Sequence, residues 1–277
     1  MSTGKALRLG RLIDAQTNTC VVCALDHAMT SPVLLTGLVD IRARTRDAVE
    51  GGANVFMLAP GLLDQVVQEF RSTTALALML TASAAGRPSG AVVTPINSVE
   101  WALRAGADAV VAYVALAGEN EPAIISYVSQ LAEACDRWGM PFIAEAEWPN
   151  AYAGPTDVGG TLGIDYLLRN ARLCAELGAD IVKVNWSGDA ESFGRIVEAT
   201  RRPVILAGGT VLSDAELLGR MEQAVGVGAI GCSVGRNIFE HPSPRGITRA
   251  LCRVIRERWT ARQALDELRA TVGAQCR

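Results

Sequence analysis

The sequence predicts an α/β fold, a (β/α)8 barrel of the TIM type, as a single domain over residues 1–277. Three observations carry that prediction. A Gly-Ala-x step recurs at Gly52-Ala53-Asn54, Gly106-Ala107-Asp108, Gly178-Ala179-Asp180 and Gly228-Ala229-Ile230, at intervals of 54, 72 and 50 residues. Each copy follows a helical pattern and opens an apolar run, as a glycine helix cap does on entry to a sheet. Those intervals are too long for one strand-plus-helix unit and fit two. Next, the apolar runs are short and continuous, as in Ala109-Val110-Val111-Ala112 and Val204-Ile205-Leu206-Ala207. That is the mark of parallel strands covered on both faces. Finally, stretches of helical periodicity separate the runs, such as 165–177, with Leu167, Leu168, Ala171, Cys174 and Leu177 on one stripe.

Taken in order, the strands are expected at 20–25, after Gly52, at 75–80, after Gly106, at 141–147, after Gly178, at 203–207 and after Gly228. Pro141 and Pro203 open two of them, a position where a strand tolerates proline. Asp189 is suited to cap the helix over 189–199, and Ser213-Asp214-Ala215-Glu216 reads as a capping box. Residues 83–94, broken by glycine and proline, form a longer loop after the third strand. An extra helix over about 261–272 packs outside the barrel or against a partner.

Composition narrows the function. At 49% hydrophobic and 20% charged, the chain is a folded globular protein. A net charge of −3 without a basic cluster argues against nucleic acid as partner. No apolar run reaches the roughly 18 residues of a membrane span, and the first 14 residues lack an apolar signal core. A cytoplasmic protein is therefore expected. The seven cysteines are scattered, and Cys20-x-x-Cys23 lies along a strand with no second pair to answer it.

The residue around which the chemistry turns is Lys183. Of the 26 basic residues only Lys5 and Lys183 are lysine, and Lys183 sits in the apolar strand Ile181-Val182-Lys183-Val184. Arginine stays protonated, whereas a buried lysine can shed its proton and become a nucleophilic amine. The competing reading is a lysine at a strand end held in an ion pair. In this fold the active site forms at the C-terminal strand ends. Those ends carry Asp26-His27, Glu145-Ala146-Glu147-Trp148, Asn185-Trp186, Gly208-Gly209 and Ser233-Val234-Gly235-Arg236-Asn237. A lysine among carboxylates suits imine chemistry, which needs an acid or base at each step. Asp26 is the stronger candidate of its pair, because a carboxylate at a buried strand end is costly unless used or paired. His27, Trp148 and Asn185 join the candidate substrate-binding set. Gly208, Gly209 and Gly235 would let backbone N–H groups approach a phosphate, with Arg236 adding a fork of donors; as a lesser reading, the glycines are turn residues only. Two histidines far apart, His27 and His241, do not make a usual zinc site, so neither a metal nor a cofactor is expected.

The runs Gly178–Lys183, Pro203–Gly209 and Gly228–Phe239 together resemble the archaeal-type class I fructose-bisphosphate aldolases. They are equally similar to the related 2-amino-3,7-dideoxy-D-threo-hept-6-ulosonate synthases. Asp26-His27 resembles that family's N-terminal Asp-His-Gly motif, with Ala28 in place of the glycine. The resemblance implies a barrel, a Schiff-base lysine at Lys183, a catalytic aspartate at Asp26, and phosphate held by Gly208, Gly209, Gly235 and Arg236. It also implies a homo-oligomer. One departure stands out. Where the family ends its fifth strand in Tyr-Pro-Arg-Gly, this chain has Glu145-Ala146-Glu147-Trp148-Pro149-Asn150. An indole only donates a hydrogen bond, so the tyrosine's proton-handling role is expected to fall to Glu147, or failing that to Tyr152. The expected function is a class I, metal-independent aldolase acting on a phosphorylated sugar or keto substrate. A transaldolase- or thiolase-like transfer, an aldol condensation in secondary metabolism through the same lysine, and a phosphosugar-binding barrel without turnover are the other readings.

Overall fold

The structure is a computed structural model that describes residues 1–31, 33–83, 93–116, 120–148 and 163–275. Eight parallel strands close into a barrel: β1 (Cys20–Ala24), β2 (Val55–Leu58), β3 (Ala75–Met79), β6 (Ala109–Val114), β7 (Phe142–Ala146), β8 (Ile181–Val184), β9 (Val204–Ala207) and β10 (Gly231–Val234). Two further strands, β4 (Thr81–Ser83) and β5 (Val93–Pro95), form a small antiparallel ribbon at the foot of the longer loop, whose residues 84–92 lie outside the described set. β10 pairs with β1, Cys20 opposite Gly231, which removes any free sheet edge.

Helices fill the connections: α1 (Thr3–Leu12), α2 (Ile41–Gly51), α3 (Leu63–Val66), α4 (Val99–Arg104), α5 (Glu121–Trp138), α6 (Ile164–Glu176), α7 (Ala190–Thr200), α8 (Asp214–Gly226), α9 (Arg236–Phe239), α10 (Pro244–Glu257) and α11 (Ala261–Gln275). Asp189 caps α7 by accepting from Ser192 N, and Ser213 caps α8 by accepting from Glu216 N. α11 packs against α8 and α10 on the outside of the barrel.

The Gly-Ala-x repeat has a clear physical reason. All four glycines take positive φ, from 82° to 110°, where a Cβ is strained. In three copies the third residue then reaches sideways to the start of the neighbouring strand. Asn54 Oδ1 accepts from Val21 N at 3.0 Å, Asp108 Oδ2 from Leu76 N at 3.0 Å, and Asp180 Oδ2 from Phe142 N at 2.9 Å. The repeat therefore turns the chain into the sheet and satisfies a backbone donor next door.

Alternation along the strands sorts side chains into an inner and an outer core. Inside lie small and unbranched residues such as Ala75, Ala77, Ala109, Met57 and Met79 with Val22 and Ile143. α1 plugs the N-terminal end: Leu12 is fully buried against this inner cluster, a burial worth about 2 kcal/mol. Lys5 of the same helix reaches Asp180 at 3.1 Å. One of the two lysines thus holds the floor of the barrel. The other stands near the opposite end.

Candidate active site

Lys183 lies in the middle of β8, and its side chain enters the barrel above the inner apolar layers. Strand register places Glu145 of β7 directly beside it. Lys183 Nζ is 2.5 Å from Glu145 Oε1 and 2.8 Å from Glu147 Oε1. The two glutamates share a face because side chains two apart on a strand point the same way. All three residues are nearly closed to solvent, at 4% for Glu145, 6% for Glu147 and 9% for Lys183. Asp26, just past β1, is equally buried and feels the charges of Lys183 and Glu147.

Burial dominates the protonation of this cluster. It pushes the Asp26 carboxyl up to about 6, and the positive Lys183 only partly offsets it. It pushes Glu145 up to about 8, with Glu147 and Asp26 adding to the rise against the pull of Lys183. His27 goes the other way, down to about 3, because burial and then the nearby Lys183 and Arg236 charges disfavour an imidazolium. It is a neutral ring at physiological pH, with Nδ1 3.8 Å from Asp26 Oδ1 and its edge against Phe239.

Lys183, Glu147 and His27 line one cleft with Gly208, Gly209, Ser233, Gly235 and Arg236. The glycine and arginine positions singled out from the sequence therefore share one space with the amine. Their individual parts differ from expectation. Gly208 N–H donates to Ser233 O at 3.0 Å inside the barrel ladder, so it cannot also serve a phosphate. Gly208 lacks a side chain because a Cβ there would press on Val234 at 3.2 Å. Gly209 faces open space with φ of +65°. Gly235 packs so closely that a Cβ would lie 2.1 Å from His27 Cε1 and 2.6 Å from Ala24 O. Arg236 Nη2 donates to Gly209 O at 2.7 Å, tying the loops after β9 and β10 together at the rim. Ser233 Oγ, named at its strand end but given no role from the sequence, is buried on this cleft without a hydrogen-bond partner among the described residues.

Trp148 and Asn185 do not line the cleft. The alternation that turns Glu145 and Glu147 inward turns Trp148 outward, where it stacks on Tyr166 of α6 at 5.5 Å between ring centroids. Asn185 Oδ1 accepts from Trp148 N at 2.8 Å, and Trp148 O accepts from Tyr113 Oη at 2.6 Å. These contacts hold the backbone where β7 ends, beside Glu147. Tyr152 lies outside the described residues.

A cavity of about 510 Å³ lies at the far, N-terminal end of the barrel, beside Arg11, Asn54 and Arg256. Two of its three arginines are engaged in structure, Arg11 with Asp108 and Arg256 with Gly52 O and Asn54 Oδ1. The chemistry-bearing groups gather instead in the smaller cleft around Lys183.

Comparison with known proteins gives this constellation its context. A family model described as DeoC/LacD family aldolase matches residues 20–241. The chain belongs to the DeoC/LacD aldolase family. Within that family it is 34% identical over 260 residues to a 2-amino-3,7-dideoxy-D-threo-hept-6-ulosonate synthase of Halobacterium salinarum, covering 92% of each chain. It is 30% identical over 276 residues to a 2-amino-4,5-dihydroxy-6-oxo-7-(phosphonooxy)heptanoate synthase of Streptomyces griseus, covering 98% of this chain and 97% of that one. Among solved structures its fold matches an archaeal fructose 1,6-bisphosphate aldolase, with a TM-score of 0.80 at 21% identity over 91% of this chain and 99% of the other.

For an aldolase the residue that sequence reasoning missed is Glu145. The signal was present: Glu145 lies two residues before Glu147 on one strand, and an inward Glu147 requires an inward Glu145. What the sequence did not show is the register that sets Glu145 level with Lys183.

Proposed function

We propose that this aldolase is a class I enzyme in which Lys183 holds a ketone donor as a Schiff base while the donor's adjacent carbon joins, or leaves, an aldehyde. One observation carries the reading. Of two lysines, one is sealed at the C-terminal end of the barrel between Glu145 and Glu147, beside a cleft rimmed by Gly209, Gly235 and Arg236. A neutral amine there attacks the carbonyl, and loss of water leaves an iminium. The iminium draws electrons from the neighbouring C–H bond as a base takes the proton, giving an enamine that adds to the aldehyde. Glu147 is placed to move the protons of that C–C step. Asp26, raised to about 6, exchanges protons near neutral pH and serves as its partner across the amine. Arg236, together with the backbone at Gly209 and Gly235, receives the phosphate of the donor.

The relatives' names support a finer substrate assignment. The two product names describe one seven-carbon skeleton: an amino group at C2, hydroxyls at C4 and C5, and a ketone at C6. A retro-aldol cut falls between C4 and C5, because C5 is next to the ketone and C4 bears the hydroxyl. It yields a four-carbon 2-amino-4-oxo acid as acceptor and a three-carbon ketone as donor. In the second name the ketone fragment carries a phosphate, which suits Arg236. We therefore assign this chain an acceptor of the amino-aldehyde-acid class and a phosphorylated ketone donor. Exposed Val33, Leu34 and Val39 support self-association as a homo-oligomer, and the free thiols among the described cysteines support a cytoplasmic setting. The −3 charge supports small molecules over nucleic acid as partners.

The test is borohydride reduction in the presence of dihydroxyacetone phosphate and other phosphorylated ketones. The expected result is a gain in mass of the reduced donor on Lys183, lost in Lys183→Arg. With Glu147→Gln, trapping should persist while turnover falls at least 100-fold. No mass gain with any ketone, or turnover retained in Lys183→Arg, overturns the reading.

A further inference from the structure

We propose that Glu145 is a catalytic residue of imine formation: it takes the proton of the Lys183 ammonium before attack and returns it to the hydroxyl that leaves as water. The proposal rests on the Schiff-base reading and assigns its first half to a group distinct from those of the C–C step. The geometry has three parts. Glu145 Oε1 is 2.5 Å from Nζ, closer than Glu147. The two residues are cross-strand partners on adjacent strands, so the distance is set by backbone register and not by a mobile loop. Glu145 also lies one pleat deeper than Glu147, away from the mouth through which the aldehyde must come.

A proton shuttle must hold a proton about as well as the group it serves. Glu145 is shifted toward that condition. The groups facing it are Lys183 on β8, Glu147 beyond the end of its own strand, and Asp26 after β1. Two of the three are acidic, and burial works in their direction, so its carboxyl is pushed up toward the range of an amine. Burial and the two acidic neighbours thus make a neutral acid–amine pair more accessible than it would be in water.

The step balances without any outside reactant. The pair begins as Lys183–NH3⁺ and Glu145–COO⁻. One proton crosses to give Lys183–NH2 and Glu145–COOH. The amine lone pair forms the N–C bond as the carbonyl π pair moves to oxygen, and a proton passes from nitrogen to that oxygen, giving the carbinolamine. Glu145 then protonates the carbinolamine hydroxyl. The C–O bond breaks, water leaves, and the nitrogen lone pair completes C=N. The products are the iminium, water and Glu145–COO⁻, which now balances the iminium charge.

The experiment is rapid-quench borohydride trapping with dihydroxyacetone phosphate on the full chain, comparing wild type with Glu145→Gln and Glu147→Gln. Glutamine preserves the volume and a hydrogen-bond acceptor at the same place. The expected result is a rate of imine formation about 100-fold slower in Glu145→Gln at neutral pH, with the deficit narrowing as pH rises and Lys183 loses its proton to solvent. Glu147→Gln should trap within a few-fold of wild type. A Glu145→Gln rate within threefold of wild type at neutral pH overturns the assignment. If Glu145→Gln does not fold by circular dichroism, Glu145→Asp answers the question. It keeps the acid but draws it back one methylene, and more than tenfold slower trapping is expected; an unchanged rate overturns the proposal. Absence of trapping in wild type is a separate outcome, because it removes the imine itself.

Discussion

Replacing Lys183 by methionine should destabilise the protein in a way that depends steeply on pH. The substitution keeps an apolar stem of similar length and removes the positive charge that faces Glu145, Glu147 and Asp26. At an effective dielectric of about 20, opposite unit charges at the 2.8 Å separation of Nζ and Glu147 Oε1 attract by about 6 kcal/mol. The ammonium also had to be desolvated, a cost that methionine escapes, so the net loss is expected near 3 kcal/mol at pH 8. The sign of the pH effect follows from the carboxyls. Asp26 at about 6 and Glu145 at about 8 are both raised above their unfolded values. Stability tied to their protons is fully present below about pH 4 and is lost as pH rises through the folded values. Without Lys183 both should rise further, because its charge was holding them down. The difference between variant and wild type should therefore shrink to under about 1 kcal/mol near pH 4. Urea unfolding at about pH 8 and pH 4 measures it. An equal difference at both values would refute the view that the lysine is the counter-charge of a buried acidic cluster.

Two other expectations concern parts away from proton transfer. Gly235→Ala should cost about 2 kcal/mol or more and weaken binding of a phosphorylated ketone at least tenfold, because the new Cβ would collide with His27 and with the immovable Ala24 carbonyl; melting temperature and isothermal titration report both. Lys5→Met should lower stability by about 1–3 kcal/mol through the stranded Asp180 carboxylate while leaving kcat per folded molecule unchanged, which a melt and an activity assay on the same preparation would check.

The fold was legible because the barrel repeats its punctuation. Gly52, Gly106, Gly178 and Gly228 mark the entry to every second strand, and the apolar runs between them supply the rest. The function of the third residue in three of the repeats was not legible, since a hydrogen bond from Val21 N to Asn54 Oδ1 spans two strands and depends on register. The same limit applied at the site. Lys183 stood out by rarity, and Glu147 by its place at a strand end, whereas Glu145 was hidden inside an apolar strand until its neighbour was known. Trp148 was near the right place along the chain but on the other side of the strand, because one step along a strand reverses the direction of a side chain, and Asn185 is engaged by the Trp148 N–H. Gly208 was assigned a free N–H that the barrel ladder already uses. Lys5 looked unremarkable because its partner, Asp180, is 175 residues away.

The backbone where β7 ends is held from several directions. Asn185 takes the Trp148 N–H, Tyr113 donates to the Trp148 carbonyl, and Tyr166 and Asn170 donate to the Glu147 carbonyl at 3.3 and 3.4 Å. All four anchors come from strands or helices, or, for Asn185, from the residue just past one. Whatever follows residue 148 can therefore be lengthened, shortened or traded for another segment while the glutamate keeps its aim. Replacing residues 149–162 with a relative's segment is therefore expected to leave the contact between Glu147 and Lys183 in place.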